Sequence, residues 1–340
     1  MENGKKRLAV LVGCNYPNSP NELHGCVNDV VAMGEVLVRR FGFESSHIEL
    51  LTDAPGSMVM PTGANIKNAL GKMVDQAAQG DVLFFHYSGH GTRIPSVRPG
   101  HLFRQDEAIV PCDFNLITDV DFRQLVNQLP KGASFTILSD SCHSGGLIEK
   151  EKEQIGPSSS YSSSLVLNTS SSSNTTTVST NCRKPKTIPL EWILQHVTSL
   201  TRINTLDIGT HLLELFGSDA SLSFRLPIDQ QEHLFVLIPK KADVDNGILL
   251  SGCQANETSA DMSPPMGGGG KAYGAFSNAV QIVLNQNLGR PPPLTNRQVV
   301  ILARKVLHAQ HFDQQHPCLY SSDHNADAIF LCLPPYTSTM

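Results

Sequence analysis

The strongest constraint on this chain is a repeated alternation of uninterrupted apolar runs with amphipathic stretches. Residues 7–16 are almost continuously apolar, the pattern of a strand covered on both faces. A helix follows, with Val27, Val30, Val31, Leu37, Val38 and Phe41 at spacings of three and four and Gly42 placed to close it. Residues 47–52 read as a second strand. Thr62 is placed to cap a helix whose apolar face carries Ile66, Leu70, Met73 and Ala77. Residues 81–88 read as a third strand and 108–110 as a short one. Asp119 is placed to cap a helix through Phe122, Leu125 and Leu129 that ends at Pro130, and 134–140 read as the next strand. This βαβα order predicts an α/β fold with a mostly parallel sheet and helices on both faces. In such sheets the working site lies beyond the carboxyl ends of the strands.

Residues 158–181 are of a different material. Eleven of these 24 residues are Ser and five are Thr. Such a segment buries too little apolar surface to order itself and reads as a mobile linker. Arg183, Lys184 and Lys186 follow as a basic knot. Beyond it, helices are predicted over 192–200, 205–216 and 273–284, with Thr295 capping another through Val299, Val300, Ala303 and Leu307. Strands are predicted over 247–253 and 328–333. The organisation is therefore a large part (1–157), a linker (158–186) and a smaller part (187–340) that completes the same fold.

Two motifs leave strand ends. His86-Tyr87-Ser88-Gly89-His90-Gly91 ends the third strand, and Asp140-Ser141-Cys142-His143-Ser144-Gly145-Gly146 ends the strand predicted over 134–140. A cysteine attacks as its thiolate, and a nearby histidine supplies the base or counter-charge. Glycines let the backbone turn tightly and aim its N–H groups at a developing oxyanion. Cys142 is thus the candidate nucleophile and His90 its catalytic partner. His143 is a rival to His90, but neighbours on an extended segment point opposite ways. Cys26 is a rival nucleophile, but it lies on a helix-forming segment with no glycine turn after it. No third, orienting residue is evident.

These two motifs resemble the catalytic signatures of metacaspases. The order of large part, linker and small part is similar to the type II metacaspases of plants, and the short linker to their metacaspase-9-like branch. The segments 13–17, 61–66, 109–118 and 250–261 match as well, so the resemblance covers nearly the whole chain outside the linker. It implies a caspase-like αβα sandwich and a cysteine endopeptidase that cuts after Arg or Lys and takes part in programmed cell death. Carried over by motif, Asp29 and Asp140 form the S1 pocket with Cys26 and Ser88 lining it, because two carboxylates hold a guanidinium through charge-assisted, fork-like hydrogen bonds. The N–H groups of Gly91 and Cys142 would hold the oxyanion. Self-cleavage of a zymogen is expected at Arg183 or Lys186; Pro185 disfavours Lys184.

Composition fits this reading. The net charge is −5, which gives no reason to expect nucleic acid as a partner and favours cationic substrates. No stretch approaches a membrane span, and the apolar run near the start is too short for a secretory leader, so a cytoplasmic monomer acting on proteins or peptides is expected, export by another route aside. The eight cysteines are then thiols rather than disulfides. No cofactor is required for the chemistry. Many metacaspases resemble calcium-activated enzymes, but residues 99–104 carry basic and apolar side chains where an acidic run would sit, so calcium-independent activity is expected. His308, His311, His316 and Cys318 match no standard zinc spacing. Gly267–Gly270 with Lys271 fails the phosphate-loop pattern, since Pro265 and Ala272 stand at required positions. The alternatives are a non-catalytic caspase-like interaction module, which predicts a damaged Cys–His pair, and a legumain-type peptidase, which would carry a secretory leader.

Overall fold

The computed structural model describes residues 5–95, 105–143, 147–148, 152–156, 183–226, 247–254, 256–264, 270–287 and 293–332. The predicted linker over 158–181, residues 99–104 and the glycines at 267–269 lie outside them. The first strand, β1 (Arg7–Gly13), pairs in parallel with β2 (Ile48–Thr52) on one side and β3 (Val82–Ser88) on the other. Two antiparallel ribbon strands follow, β4 (Gly91–Pro95) and β5 (Gln105–Ile109), with β6 (Ile117–Thr118) beside them. Strand β7 (Ser134–Asp140) returns to the main sheet, which β8 (Glu153–Ile155), β10 (Gly247–Ser251) and β13 (Cys318–Tyr320) complete in the order β2-β1-β3-β7-β10-β13-β8. A separate small sheet orders β12 (Tyr273–Gly274), β11 (Ala260–Met262) and β9 (Arg183–Pro185). The main sheet is parallel through β10 and antiparallel at β13 and β8.

Alternation along β1 shows why two helical layers are required. Helices α1 (Cys26–Phe41) and α2 (Gly63–Asp75) cover opposite faces of the sheet. Leu8, Val10 and Val12 face one core with Ile66 and Leu70 of α2, while Ala9 and Leu11 face the other with Val30, Met33 and Leu37 of α1. The helices Ala275–Gln286 and Asn296–Ala309 share the α1 side; Phe122 of α3 (Asp119–Gln128) and Ile193 of the helix Leu190–Thr201 share the α2 side. Each such buried side chain contributes about 1.5–3 kcal/mol. Thr62 caps α2, its hydroxyl accepting from Asn65 N–H, and Thr295 forms a capping box with Gln298, both as the sequence predicts.

Three local expectations are corrected. The buried stripe of α1 runs through Val30, Met33, Val36 and Leu37; of the expected face Val31 is 44% and Val38 39% exposed, because the 3.6-residue period that buries Val30 and Leu37 takes in Met33 and Val36 and turns Val31 and Val38 outward. The cap of α3 is Thr118, which forms a capping box with Asp121; Asp119 is the first helical residue. No strand covers the described part of 328–333. Ile329 makes a single bridge to Thr295, Leu331 turns left-handed at φ 50°, and Phe330 and Leu331 are apolar because they plug the α1-side core. The sheet is completed instead by β13, three residues long and too short to show a period.

The adjacency of β3 and β7 is what positions the site. Ser88 and Asp140, the last residues of the two strands, are register partners. The two motifs therefore leave the sheet side by side at its carboxyl edge.

Candidate active site

A chain segment crosses that edge. Strand β9 lies antiparallel on β11, with Arg183 opposite Met262 and Pro185 opposite Ala260. Lys186 N–H continues the ladder by donating to the Ser259 carbonyl at 2.8 Å. The Lys186 carbonyl then accepts from two backbone N–H groups, Gly91 at 3.0 Å and Cys142 at 3.1 Å. On the far side, Ile188 N–H donates to the Gly91 carbonyl at 3.1 Å and its side chain is fully buried. The peptide bond between Lys186 and Thr187 is thus held extended from both ends. Glycine is required at position 91: a Cβ there would collide with the Cys142 carbonyl.

The Lys186 side chain is fully buried. Its Nζ lies 2.8 Å from Ser88 Oγ, 3.2 Å from Asp140 Oδ2 and 3.5 Å from Asp29 Oδ2. The carboxylates are held in turn. Asp140 accepts from Ser259 Oγ at 2.7 Å and Ser277 N–H at 2.8 Å; Asp29 accepts from Ser88 Oγ at 2.7 Å and Gly274 N–H at 2.9 Å. A Cβ at position 274 would run into Lys186 Nζ and both carboxylates. Burial works against both acids, but they resolve it differently. At Asp140 the Lys186 charge and the Ser259 and Ser277 hydrogen bonds outweigh burial and hold the carboxyl below its usual range. At Asp29 burial and the neighbouring Asp140 charge prevail over Lys186 and push the carboxyl up to about 7. Burial lowers the Lys186 ammonium, and Asp140 first among its neighbours raises it to a net upward shift, so the cation stays charged. Cys26 is fully buried beside this cluster, its thiol pushed well up by burial against the opposing pull of Lys186.

His90 and Cys142 are both buried at this bond. The His90 backbone is clamped at each end: its N–H donates to Tyr16 Oη at 2.9 Å and its carbonyl accepts from Tyr87 Oη at 2.7 Å. The Tyr16 ring leans on the imidazole at 4.8 Å between centroids. His90 Nε2 lies 2.7 Å from the Asn21 carbonyl, which accepts from it. That assigns the ring proton to Nε2 and leaves Nδ1, buried and without a hydrogen-bond partner among the described residues, as the free base. Burial lowers the imidazole to about 4, so it is neutral at pH 7; the Asn21 carbonyl and the Lys186 backbone, against which the ring stands, partly oppose the shift. Cys142 Sγ accepts from Ser259 N–H at 3.0 Å.

The structure thus brings His90, Cys142, Gly91, Asp29, Asp140, Cys26, Ser88 and Lys186 to one place. Arg183 lies three residues upstream, paired with β11 rather than at the nucleophile. His143 occupies a left-handed turn at φ 55°. Asn21, Ser259 and Gly274 are further participants that sequence reading missed. Ser259 falls within the matching segment 250–261, whereas Asn21 acts through its backbone carbonyl, which no residue type encodes. Of the zinc candidates, His308 pairs with Asp313 at 2.6 Å and His316 with Glu257 at 2.5 Å, and no cluster of metal-binding side chains occurs among the described residues. No helix among them is long and apolar enough to cross a membrane.

The caspase-domain family profile matches residues 6–329. Among curated proteins, the chain is 63% identical to Metacaspase-9 of Arabidopsis thaliana over 333 residues, covering 97% of this chain and 98% of that one. It is 39% identical to Arabidopsis Metacaspase-6, covering 96% of this chain and 100% of the other. Among solved structures, a Geobacter sulfurreducens protein aligns with a TM-score of 0.54 at 18% identity, covering 97% of this chain and 99% of its own, a likeness of fold.

Proposed function

Because the chain belongs to the caspase-domain family, among its metacaspases, and is therefore a caspase-like cysteine peptidase, we propose that it cuts peptide bonds after Arg or Lys and matures by cutting its own Lys186–Thr187 bond. One observation carries this reading: the Lys186 ammonium is buried between Asp29 and Asp140 while its carbonyl accepts the two N–H groups beside the candidate nucleophile. A side chain that costs several kcal/mol to desolvate unpaired is buried here because the pocket is built for a cation. Arginine would engage both carboxylates through its fork, and lysine as a point charge.

In this mechanism Cys142 Sγ attacks the Lys186 carbonyl carbon, and the oxyanion stays on the Gly91 and Cys142 N–H groups. His90 Nδ1 takes the thiol proton and delivers it to the Thr187 amine as the C–N bond breaks. A water, deprotonated by the same nitrogen, hydrolyses the thioester, and Cys142 is restored. Asn21 orients the imidazole. Cleavage would divide the chain into 1–186 and 187–340, which still share one sheet, since β8 of the first pairs with β13 of the second. Until then Lys186 occupies S1 and keeps the enzyme a zymogen. The reading further places it in a plant cell's cytoplasm, acting as a monomer, without calcium, in programmed cell death.

Matched fluorogenic peptides that differ only at P1 test the specificity. Arg and Lys peptides should be hydrolysed at least about a hundred-fold faster than the Asp peptide, the scale of one well-paired buried charge. Equal rates for Asp and Arg would remove the S1 assignment.

A further inference from the structure

The Lys186–Thr187 bond is not the only part of the docked segment that is recognised. Three residues before Lys186, at P4, the Arg183 guanidinium lies over the Phe312 ring at 4.4 Å from the centroid. Its Nη1 also donates to the His311 carbonyl at 3.1 Å. The receiving surface is constructed rather than incidental. Helix Asn296–Ala309 ends with Gln310, and His311 adopts φ 62°, a left-handed residue that closes the helix. Phe312 N–H then donates back to the Leu307 carbonyl at 2.9 Å, fixing the ring. One part of that ring is packed in the core, leaving Phe312 6% exposed, and the remaining face meets Arg183. The His311 carbonyl lies at the negative end of the helix. Two features that each favour a cation therefore converge on one spot, the aromatic face and the carbonyl of a helix C-terminal turn. Asp313 borders the same place, on an open cavity of about 560 Å³ that Arg183, Phe312 and Gln314 also line.

We propose that Phe312, with the His311 carbonyl, is a second specificity site that selects arginine four residues before the scissile bond in substrates. This rests on the reading of Lys186 as P1. Arginine fits better than lysine because a planar guanidinium stacks on the ring and donates in its own plane at once, whereas an ammonium is a compact charge that does one or the other. The contact lies away from Cys142 and His90, so it tightens substrate binding and leaves the chemical step alone. It acts on KM.

The self-processed full chain is assayed on four peptide amides of sequence X-Lys-Pro-Lys, with X as Arg, Lys, Ala or Val. Arg is expected to exceed Ala by about ten-fold in kcat/KM, carried by KM, with Lys between them. Phe312→Leu keeps an apolar side chain and loses the π face; it should bring the Arg-to-Ala ratio to within about two-fold, while Phe312→Trp retains the ratio. Hydrolysis of the Ala peptide by each variant at the wild-type kcat shows that the fold and the P1 site are intact. Cleavage of all four peptides by the wild type at equal kcat/KM would overturn this site and leave the P1 reading standing, as would an unchanged ratio in Phe312→Leu. No cleavage of any peptide with Lys at P1 would overturn both.

Discussion

Cys142→Ala is expected to leave the chain in one piece and to lower hydrolysis of Arg peptides by about 10⁴-fold or more, the usual scale for removing a covalent nucleophile. The fold should survive. Cys142 is fully buried, and the substitution removes one sulfur with its weak hydrogen bonds, accepted from Ser259 N–H, donated to the Ser259 carbonyl at 3.7 Å and shared with the Cys253 thiol, while the backbone N–H that contacts Lys186 remains. Thermal unfolding of the variant should therefore stay close to that of the uncleaved wild type. Turnover at the wild-type rate would transfer the nucleophile's role elsewhere, with Cys26 the first alternative since it too is fully buried, beside the Lys186 ammonium.

The second large effect is expected at Asp140. Asp140→Ala removes the ionised acceptor of Lys186, Ser259 Oγ and Ser277 N–H together. Breaking a buried ion pair on one side costs about 3–5 kcal/mol, which corresponds to a loss of roughly a hundred- to several-thousand-fold for P1 Arg peptides. Asp29→Asn should be milder, about ten-fold, because Asp29 carries its proton part of the time at neutral pH. The Asp29 value of about 7 is that of the filled pocket, where Lys186 pulls the carboxyl down; without a cation it titrates higher, so KM of the wild type rises as pH falls toward about 7 and levels off below it. The Asp29→Asn variant should have a raised KM that no longer changes there. A steady-state KM profile across the neutral range measures both, and an Asp29→Asn variant that kept the wild-type slope would assign the titration to another group.

Much of this site was readable from residue types, and the unread part has definite causes. The strands before Gly89 and Ser141 announced themselves because they are buried on both faces, so apolarity alone located their carboxyl ends. Asp29 and Asp140 were identified by motif, and the structure adds the asymmetry between them, which arises from the partners each carboxyl collects rather than from the acids themselves. Lys186 was one basic residue among three in the sequence. Its selection depends on register: Pro185 falls opposite Ala260, which delivers the next side chain to the pocket mouth. Asn21 was invisible because a carbonyl has no letter. The strand predicted over 328–333 failed for the converse reason, since Phe330 and Leu331 are apolar to fill space against the core, and filling space imposes no extended backbone.

The most direct test is the intact mass of the purified chain after incubation, with the Cys142→Ala protein alongside. Self-cleavage after Lys186 predicts fragments corresponding to 1–186 and 187–340, the second beginning at Thr187, in the wild type and none in the variant. A wild type that hydrolyses added Arg peptides while its own Lys186–Thr187 bond stays whole would contradict it.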